Sequence, residues 1–534
     1  MNKLLQKLMM AVALAATVHT ATAQSQTETD YRAIEAATNL QWQHADYAAD
    51  GLAGTSANKA YSELLKGKKS TTVVVAIIDS GTETFHPDLK DNIWTNADEI
   101  PDNGVDDDKN GYVDDIHGWS FIGGAGGDVE HDNLEFTRIY KELKNKYEKK
   151  DASTLSGDEK KEYARYVKMK ADYDQRMKKA QEDEQLYSLV KNSYEGLDKM
   201  LTEHFKKADY TKEELQAVEG EMKEIAAAML QLREAGLPDI FPEWKDQVQG
   251  MVKYNLNLTY DPRSKVGDNY RDSREKDYGN NHIDGPHADH GTHVGGIVGA
   301  VRNAYGMDGI ADNVRLMVIR CVPNGDERDK DVANAIRYAA DNGARIINMS
   351  FGKSFSPQKD VVDEAVKYAE SKGVLMVHAA GNDNKNIDTA ANFPTDKYND
   401  GTFCGTWLEV GASGQTTDQL AASFSNYGKK NVDLFSPGVE IFSTVPGDKY
   451  KPNDGTSMAS PVAAGVAAVL MSYYPELSAA DIKVIMMQSA QNYGKMKVPM
   501  PGNDKKKVKF KKLSVTGGVV NLYNALKLAE TWKK

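Results

Sequence analysis

Residues 71–79 read TTVVVAIID. Six consecutive apolar residues, Val73 to Ile78, end on a carboxylate, Asp79. A short run with no polar face suits a strand buried on both sides, as in a parallel sheet. The same pattern recurs in RLMVIRCV (315–322), ARIINMSF (344–351) and VLMVHAA (374–380). Helix-like stretches lie between them: DKDVANAIRYAADNG (329–343) and SPQKDVVDEAVKYAESKG (356–373). Gly343 and Gly373 fall where helix C-caps would be. This βαβα order predicts an α/β fold, a doubly wound, mostly parallel sheet flanked by helices. Functional loops are expected at the carboxyl ends of its strands.

The chain has 534 residues, 40% of them hydrophobic and 27% charged, enough for a sizeable core. Lys and Arg number 66 against 78 Asp and Glu, a net charge of −12, which argues against a nucleic-acid partner. Two cysteines exclude a disulfide scaffold and a Cys₄ zinc site. Cys321 and Cys404 could pair in an oxidising compartment, but Cys321 lies in an apolar strand-like run and reads rather as a buried free thiol. Beyond residue 30 no apolar run is expected to approach 18 residues, so no membrane span is expected in the mature chain. Residues 1–23, MNKLLQKLMMAVALAATVHTATA, read as a signal peptide. Lys3 and Lys7 precede the apolar stretch Leu8 to Val18, and Ala21-Thr22-Ala23 forms the cleavage site. Export to a periplasm or the cell exterior follows. Oligomeric state has no sequence signal here.

One stretch breaks the alternation. Residues 102–237 contain no proline, and 141–236 carry 20 basic and 21 acidic residues. A balanced, helix-forming composition predicts long solvated helices. Thr211 followed by Glu213 and Glu214 marks a helix start. Tyr140, Leu143, Tyr147 and Tyr187, Val190, Tyr194 supply apolar faces at helical spacing. Residues 129–250 are therefore read as a helical insertion. It separates a first part of the main domain (24–128) from a second (251–534).

Three segments carry chemistry: Ile78-Asp79-Ser80-Gly81, His290-Gly291-Thr292-His293-Val294-Gly295-Gly296 and Gly455-Thr456-Ser457-Met458-Ala459-Ser460-Pro461. A serine hydroxyl is a weak nucleophile that needs a base, and the base needs an anion to fix its tautomer. These segments, in the order Asp…His…Ser found in subtilisin, resemble the subtilisin-like serine protease family. Ala379-Ala380-Gly381-Asn382 is similar to that family's oxyanion loop. The resemblance covers about residues 42–127 and 255–525. It implies an exported serine endopeptidase acting on protein or peptide substrates, with a subtilisin-like fold. Ser457 would be the nucleophile, His290 the general base, Asp79 its orienting carboxylate and Asn382 an oxyanion donor. Ser350, Phe351 and Gly352 would pair with an extended substrate. Gly352, Ala380 and Gly381 would line an open, uncharged specificity pocket. Two alternatives stand beside this: a specialised processing protease gated by the helical insertion, and a non-catalytic binding module on the same fold.

Two metal readings arise. Asp106, Asp108, Asn110 and Asp114 put oxygens at positions 1, 3, 5 and 9 of an EF-hand-like loop, with Gly111 at 6 and the Tyr112 carbonyl at 7. A structural calcium ion is expected, although position 12 is His117 and not Glu. His287, His290 and His293 have zinc-like spacing, but no H-E-x-x-H motif accompanies them, so zinc catalysis is not expected. His293 reads as a packed helix residue.

Overall fold

A computed structural model describes residues 29–30 and 41–533; the signal peptide read at 1–23 lies outside the described residues. The described chain divides into two compact units. The sheet unit comprises Glu28–Glu135 and Asp261–Lys534, and the helical unit Phe136–Tyr260. By compactness the insertion thus runs from 136 to 260, against the 129–250 expected. Residues 129–135 are held in the sheet unit by polar pairing that periodicity does not reveal.

Among the described residues the main sheet of the sheet unit has nine strands, numbered in chain order: β1 (Val73–Asp79), β2 (Gly118–Ser120), β3 (Val314–Arg320), β4 (Ile346–Met349), β5 (Leu375–Ala379), β6 (Trp407–Ser413), β7 (Leu434–Pro437), β8 (Gln491–Asn492) and β9 (Gly518–Val519). Their spatial order is β8-β9-β7-β6-β5-β4-β1-β3-β2. Every pairing is parallel except β8 with β9. The four apolar runs read from sequence are β1, β3, β4 and β5. Side chains on β1 alternate between two cores. Val75 and Ile77 join one and Ala76 and Ile78 the other. That is the period-two signature of a strand covered on both faces.

Helices supply the cover. On one face lie α1 (Asp289–Gly299), α4 (Thr456–Tyr473), α5 (Ala479–Ser489) and α6 (Leu522–Glu530); on the other lie α2 (Asp329–Asp341) and α3 (Lys359–Ser371). Among the described residues α4 is the one helix long and apolar enough to cross a membrane, which corrects the expectation of no such run. Small residues all around it (Ala463, Ala464, Ala467, Ala468) let it pack in the protein core, where it is buried almost throughout. Strand β1 has β3 on one side and β4 on the other, so chain order reverses direction there. Such a switch point opens a crevice at the carboxyl ends of the strands.

The helical unit contains Gly157–Phe205, a 49-residue helix about 74 Å long at 1.5 Å per residue. Ion pairs four residues apart run along it, including Lys170–Asp174, Lys179–Asp183 and Lys191–Glu195. Exposed pairs of this kind contribute little each. Packing contributes more. Tyr187 and Val190 meet Leu232, Leu237, Phe241, Trp244 and Val248. Leu201 meets Tyr210, Leu215, Ile225 and Met229. Thr211 does start a helix, Lys212–Gln216, through a reciprocal capping box with Glu214. Trp244→Ala removes a ring that is 4% exposed and is expected to destabilise the helical unit by about 3–5 kcal/mol. Urea unfolding of the full chain, followed at the far-ultraviolet helix signal, should show an earlier transition, whereas Lys179→Ala should leave it in place.

Candidate active site

Asp79 ends β1, and the chain turns sharply after it. Gly81 has φ +122, and an added Cβ there would meet the Asp284 carbonyl. A Cβ on Gly291 would clash with the Gly81 carbonyl oxygen. Two glycines thus let the first turn of α1 approach the end of β1 backbone to backbone. That approach brings His290 onto Asp79. The His290 Nδ1–H donates to Asp79 Oδ1 at 2.7 Å, and the Ser80 N–H donates to the same oxygen at 2.7 Å. Asp79 is 2% exposed, while the His290 side chain keeps 40% of its surface open. Burial alone would disfavour the imidazolium, but the Asp79 charge and hydrogen bond outweigh it and hold His290 above its ordinary pKa.

Ser457 stands in the first turn of α4, after Gly455. Its Oγ–H donates to the Ser350 carbonyl at 3.0 Å, and the Ser350 Oγ–H donates to the Ser457 carbonyl at 2.9 Å. Strand β4 and helix α4 are thereby tied at the predicted nucleophile. Asn382 follows β5. Its Oδ1 accepts from both the N–H and the Oγ–H of Thr456, each at 2.9 Å. This fixes the amide plane, and a Cβ on Gly455 would sit 3.4 Å from Asn382 Nδ2. Asp79, His290, Ser350, Asn382 and Ser457 therefore all lie at one edge, the carboxyl ends of β1, β4 and β5 with the N-termini of α1 and α4.

Ser350, Phe351 and Gly352 continue from β4, and Ala380 and Gly381 from β5. Side chains that sequence reading missed hold these loops. Asn426 Nδ2 donates to the Ala380 carbonyl at 2.7 Å, and the Asn426 N–H donates to the Gly381 carbonyl at 2.8 Å. Asn392 Nδ2 donates to the Ala380 carbonyl at 3.1 Å. Asn348 Nδ2 donates to Ser350 Oγ at 3.0 Å. His378 bridges Glu409 and the Phe351 carbonyl. Asn348 and His378 are single polar residues in apolar strand runs, so the available signal there is that burying them demands partners, whereas Asn392 and Asn426 lie in mixed loops that carry no such signal. Cys321 and Cys404 are both buried and unpaired with each other.

The three-histidine ladder does not converge. His290 faces Asp79, and His287 lies 2.9 Å from Glu130. His293 is fully buried and bonds the Lys451 carbonyl at 3.0 Å. Burial chiefly holds His293 down to about 3, so it stays neutral.

The acidic loop also departs from its expected ligand set. Glu99, Asp108 and Asp115 bring carboxylate oxygens within 4.8 Å of one another. Of the carboxylates predicted, Asp106, Asp108 and Asp114, only Asp108 belongs to this group. Asp114 takes φ 52 and accepts from the N–H groups of Asn103 and Gly104. Asp106 caps the N–H groups of Asn110 and Gly111. Asn110 Oδ1 accepts from the Tyr112 N–H, and the Tyr112 ring packs on Trp119, Phe121 and Tyr338. No helix follows the loop as in an EF-hand. His117 turns to the Trp94 carbonyl, and Glu99 arrives from upstream instead. Burial first of all pushes Asp115 up to about 6. A hard, oxygen-seeking cation suits three clustered carboxylates of this kind.

A family model described as the subtilase family, peptidase S8, matches residues 70–509. A thermophilic serine proteinase of a Bacillus species is 44% identical over 185 residues, 34% of this chain and 42% of the relative. Subtilisin DY of Bacillus licheniformis is 35% identical over 207 residues, 38% of this chain and 71% of the relative. Alkaline elastase YaB of a Bacillus species is 36% identical over 206 residues, 38% of this chain and 50% of the relative. The chain thus spans about half the length of most of these relatives.

Folding raises the pKa of His290. The protonated ring therefore adds stability that is complete below the unfolded value of about 6.5 and is lost as pH rises through the folded value. In a Ser457→Ala background, urea unfolding from about pH 5 to 9 should show this falling limb, and Asp79→Asn should flatten it. Identical profiles with and without Asp79 would contradict the pairing.

Proposed function

The chain belongs to the subtilase family, and from that premise we propose that it is an exported serine endopeptidase using Asp79, His290 and Ser457, with Asn382 in the oxyanion hole. The observation that carries this reading is the buried Asp79–His290 hydrogen bond at the same sheet edge as Ser457. Asp79 fixes the tautomer with the proton on Nδ1, which leaves Nε2 free to act as a base. Rotation about χ1 would turn Ser457 from the Ser350 carbonyl to His290. The imidazole would take the hydroxyl proton as Oγ attacks the scissile carbonyl, and the imidazolium would then protonate the leaving amine. The Asn382 amide and the Ser457 N–H would receive the oxyanion, helped by the dipole at the N-terminus of α4.

Ser350, Phe351 and Gly352 would pair with the substrate backbone. Gly352, Ala380 and Gly381 would form a pocket without fixed charge, favouring apolar or varied side chains. Export rests on the reading of residues 1–23. Casein hydrolysis should be abolished by Ser457→Ala. Loss of one oxyanion donor costs about 10²–10³ in turnover in subtilisin, and Asn382→Ala should lower kcat by a similar factor with little change in KM. Full activity in the Ser457→Ala protein would refute the assignment, and a parent chain inert towards casein would favour a binding role.

The cluster Glu99, Asp108 and Asp115 would bind calcium as a structural ion, with Asn110 beside it. The ion would offset clustered negative charge and pin the loop that precedes β2. Saturation at about 100 times Kd adds roughly 2.7 kcal/mol of stability. Calcium added after chelation should therefore raise Tm, and Asp115→Asn should remove most of that response. An unchanged Tm in the parent chain would rule the ion out.

A further inference from the structure

Glu130, His131 and His287 meet within the sheet unit and share no residue with either group described above. His287 Nε2 lies 2.9 Å from Glu130 Oε1, and His131 Nε2 lies 3.3 Å from the same oxygen. The two imidazole rings are 5.5 Å apart and inclined by 69°. One donor atom from each of the three residues lies within 4.8 Å of the others. A tetrahedral zinc ion with bonds of about 2.0–2.1 Å separates its ligand atoms by roughly 3.3–3.4 Å. Two edges of that tetrahedron are thus nearly in place.

The approach of His287 is not an ordinary hydrogen bond. Its Nε2 is shielded from solvent and has no hydrogen-bonded partner among the described residues, despite the 2.9 Å distance to Glu130. A ring nitrogen placed off the hydrogen-bond line, beside a carboxylate and a second imidazole, suits a shared ion better than a pairwise bond. The chemistry is selective as well. Two imidazoles and one carboxylate form a borderline ligand set, suited to zinc and poorly suited to calcium or magnesium. The Glu130 side chain is 44% exposed and that of His287 36%, so an ion can enter and a water can complete its shell.

Both sides of this cluster connect to the proposed catalytic pair. His287 lies three residues before His290, immediately ahead of α1. Glu130 follows Val129, whose carbonyl accepts from Arg320. The same guanidinium donates through Nε to the Ser80 carbonyl at 3.0 Å, next to Asp79. Drawing the three ligands onto an ion would therefore pull on the segments that carry His290 and Asp79.

We propose that Glu130, His131 and His287 form a three-ligand zinc site with an open fourth position, and that filling it slows hydrolysis at Ser457. The binding half stands on the cluster alone. The inhibitory half rests on the protease reading above.

Calorimetry on the Ser457→Ala protein, with calcium at saturation, tests the binding half. One Zn²⁺ should bind per chain, and Co²⁺ should give the intense visible absorption of a four-coordinate site. His131→Ala and Glu130→Gln should each weaken zinc at least roughly tenfold, or about 1.4 kcal/mol. Circular dichroism of each variant checks its fold. Absence of zinc heat and of the cobalt spectrum, or equal affinity in parent and His131→Ala, would overturn the site. The active chain tests the inhibitory half through the ratio of casein turnover with zinc to turnover without it. That ratio should fall well below one in the parent and return towards one in His131→Ala. Zinc bound with an unchanged ratio would overturn the coupling. A parent chain inert to casein without zinc would overturn the protease reading and leave the calorimetric result standing.

Discussion

A carboxylate at the end of a strand covered on both faces sets the terms for this fold. Asp79 is almost wholly withdrawn from water. An uncompensated charge in that position would cost several kcal/mol. The Ser80 N–H and the His290 imidazole meet one carboxylate oxygen, and the second has no hydrogen bond among the described residues. Compensation therefore depends on His290 arriving at one distance and one angle. The glycines at 81 and 291 make that arrival possible. The position of α1 follows, and with it the packing of Val294, Ile297 and Val298 into the core shared with α4. Placement of an imidazole and solvation of a buried anion are here the same physical event.

The tie between Ser350 and Ser457 acts in the same way across the other side of the switch point. Two serines exchange hydroxyl-to-carbonyl hydrogen bonds, and Thr456 anchors Asn382 one residue earlier. Helix α4 supplies the rigid base. Its buried small side chains leave it little room to shift, so the geometry at its N-terminus is inherited from the core.

Sequence and structure agree where the physics is periodic. An unbroken run such as 73–78 has one economical fate, and the alternation of Val75 and Ile77 with Ala76 and Ile78 confirms it. The chemistry-bearing segments were visible because each combines an unusual residue with a strand or helix end. What was not visible depends on single polar contacts. Asn348 and His378 look like interruptions in apolar stretches and Asn426 like an ordinary loop residue, yet their bonds shape the loops beside Ser350 and Ala380. The acidic loop is likewise arranged by single polar contacts. Spacing assigned its oxygens by analogy with a loop that leads into a helix. A left-handed Asp114 turns one of them back onto 103–104, and Glu99 enters from upstream. The apolar length of α4 is masked in the sequence because serine, threonine and glycine dilute its run without giving it a polar face.

Charge tells a last story at the edges of the helical insertion. On the upstream side the Glu135 N–H donates to Asp326 at 2.8 Å, and its carboxylate meets Lys353 at 2.9 Å. On the downstream side Arg263 is held by Asp268 and Asp331, and the fully buried Lys330 by Asp268 and Glu275. All of these bonds are internal to the sheet unit. The two points where the chain leaves and re-enters are therefore clamped independently of what lies between them. In polymer terms the insertion is a loop whose closure is already secured. Each doubling of such a loop adds only ~0.6 kcal/mol of entropy cost. The stretch between 135 and 261 is thus free to grow, shrink or be exchanged over evolutionary time at small thermodynamic cost to the sheet that carries it.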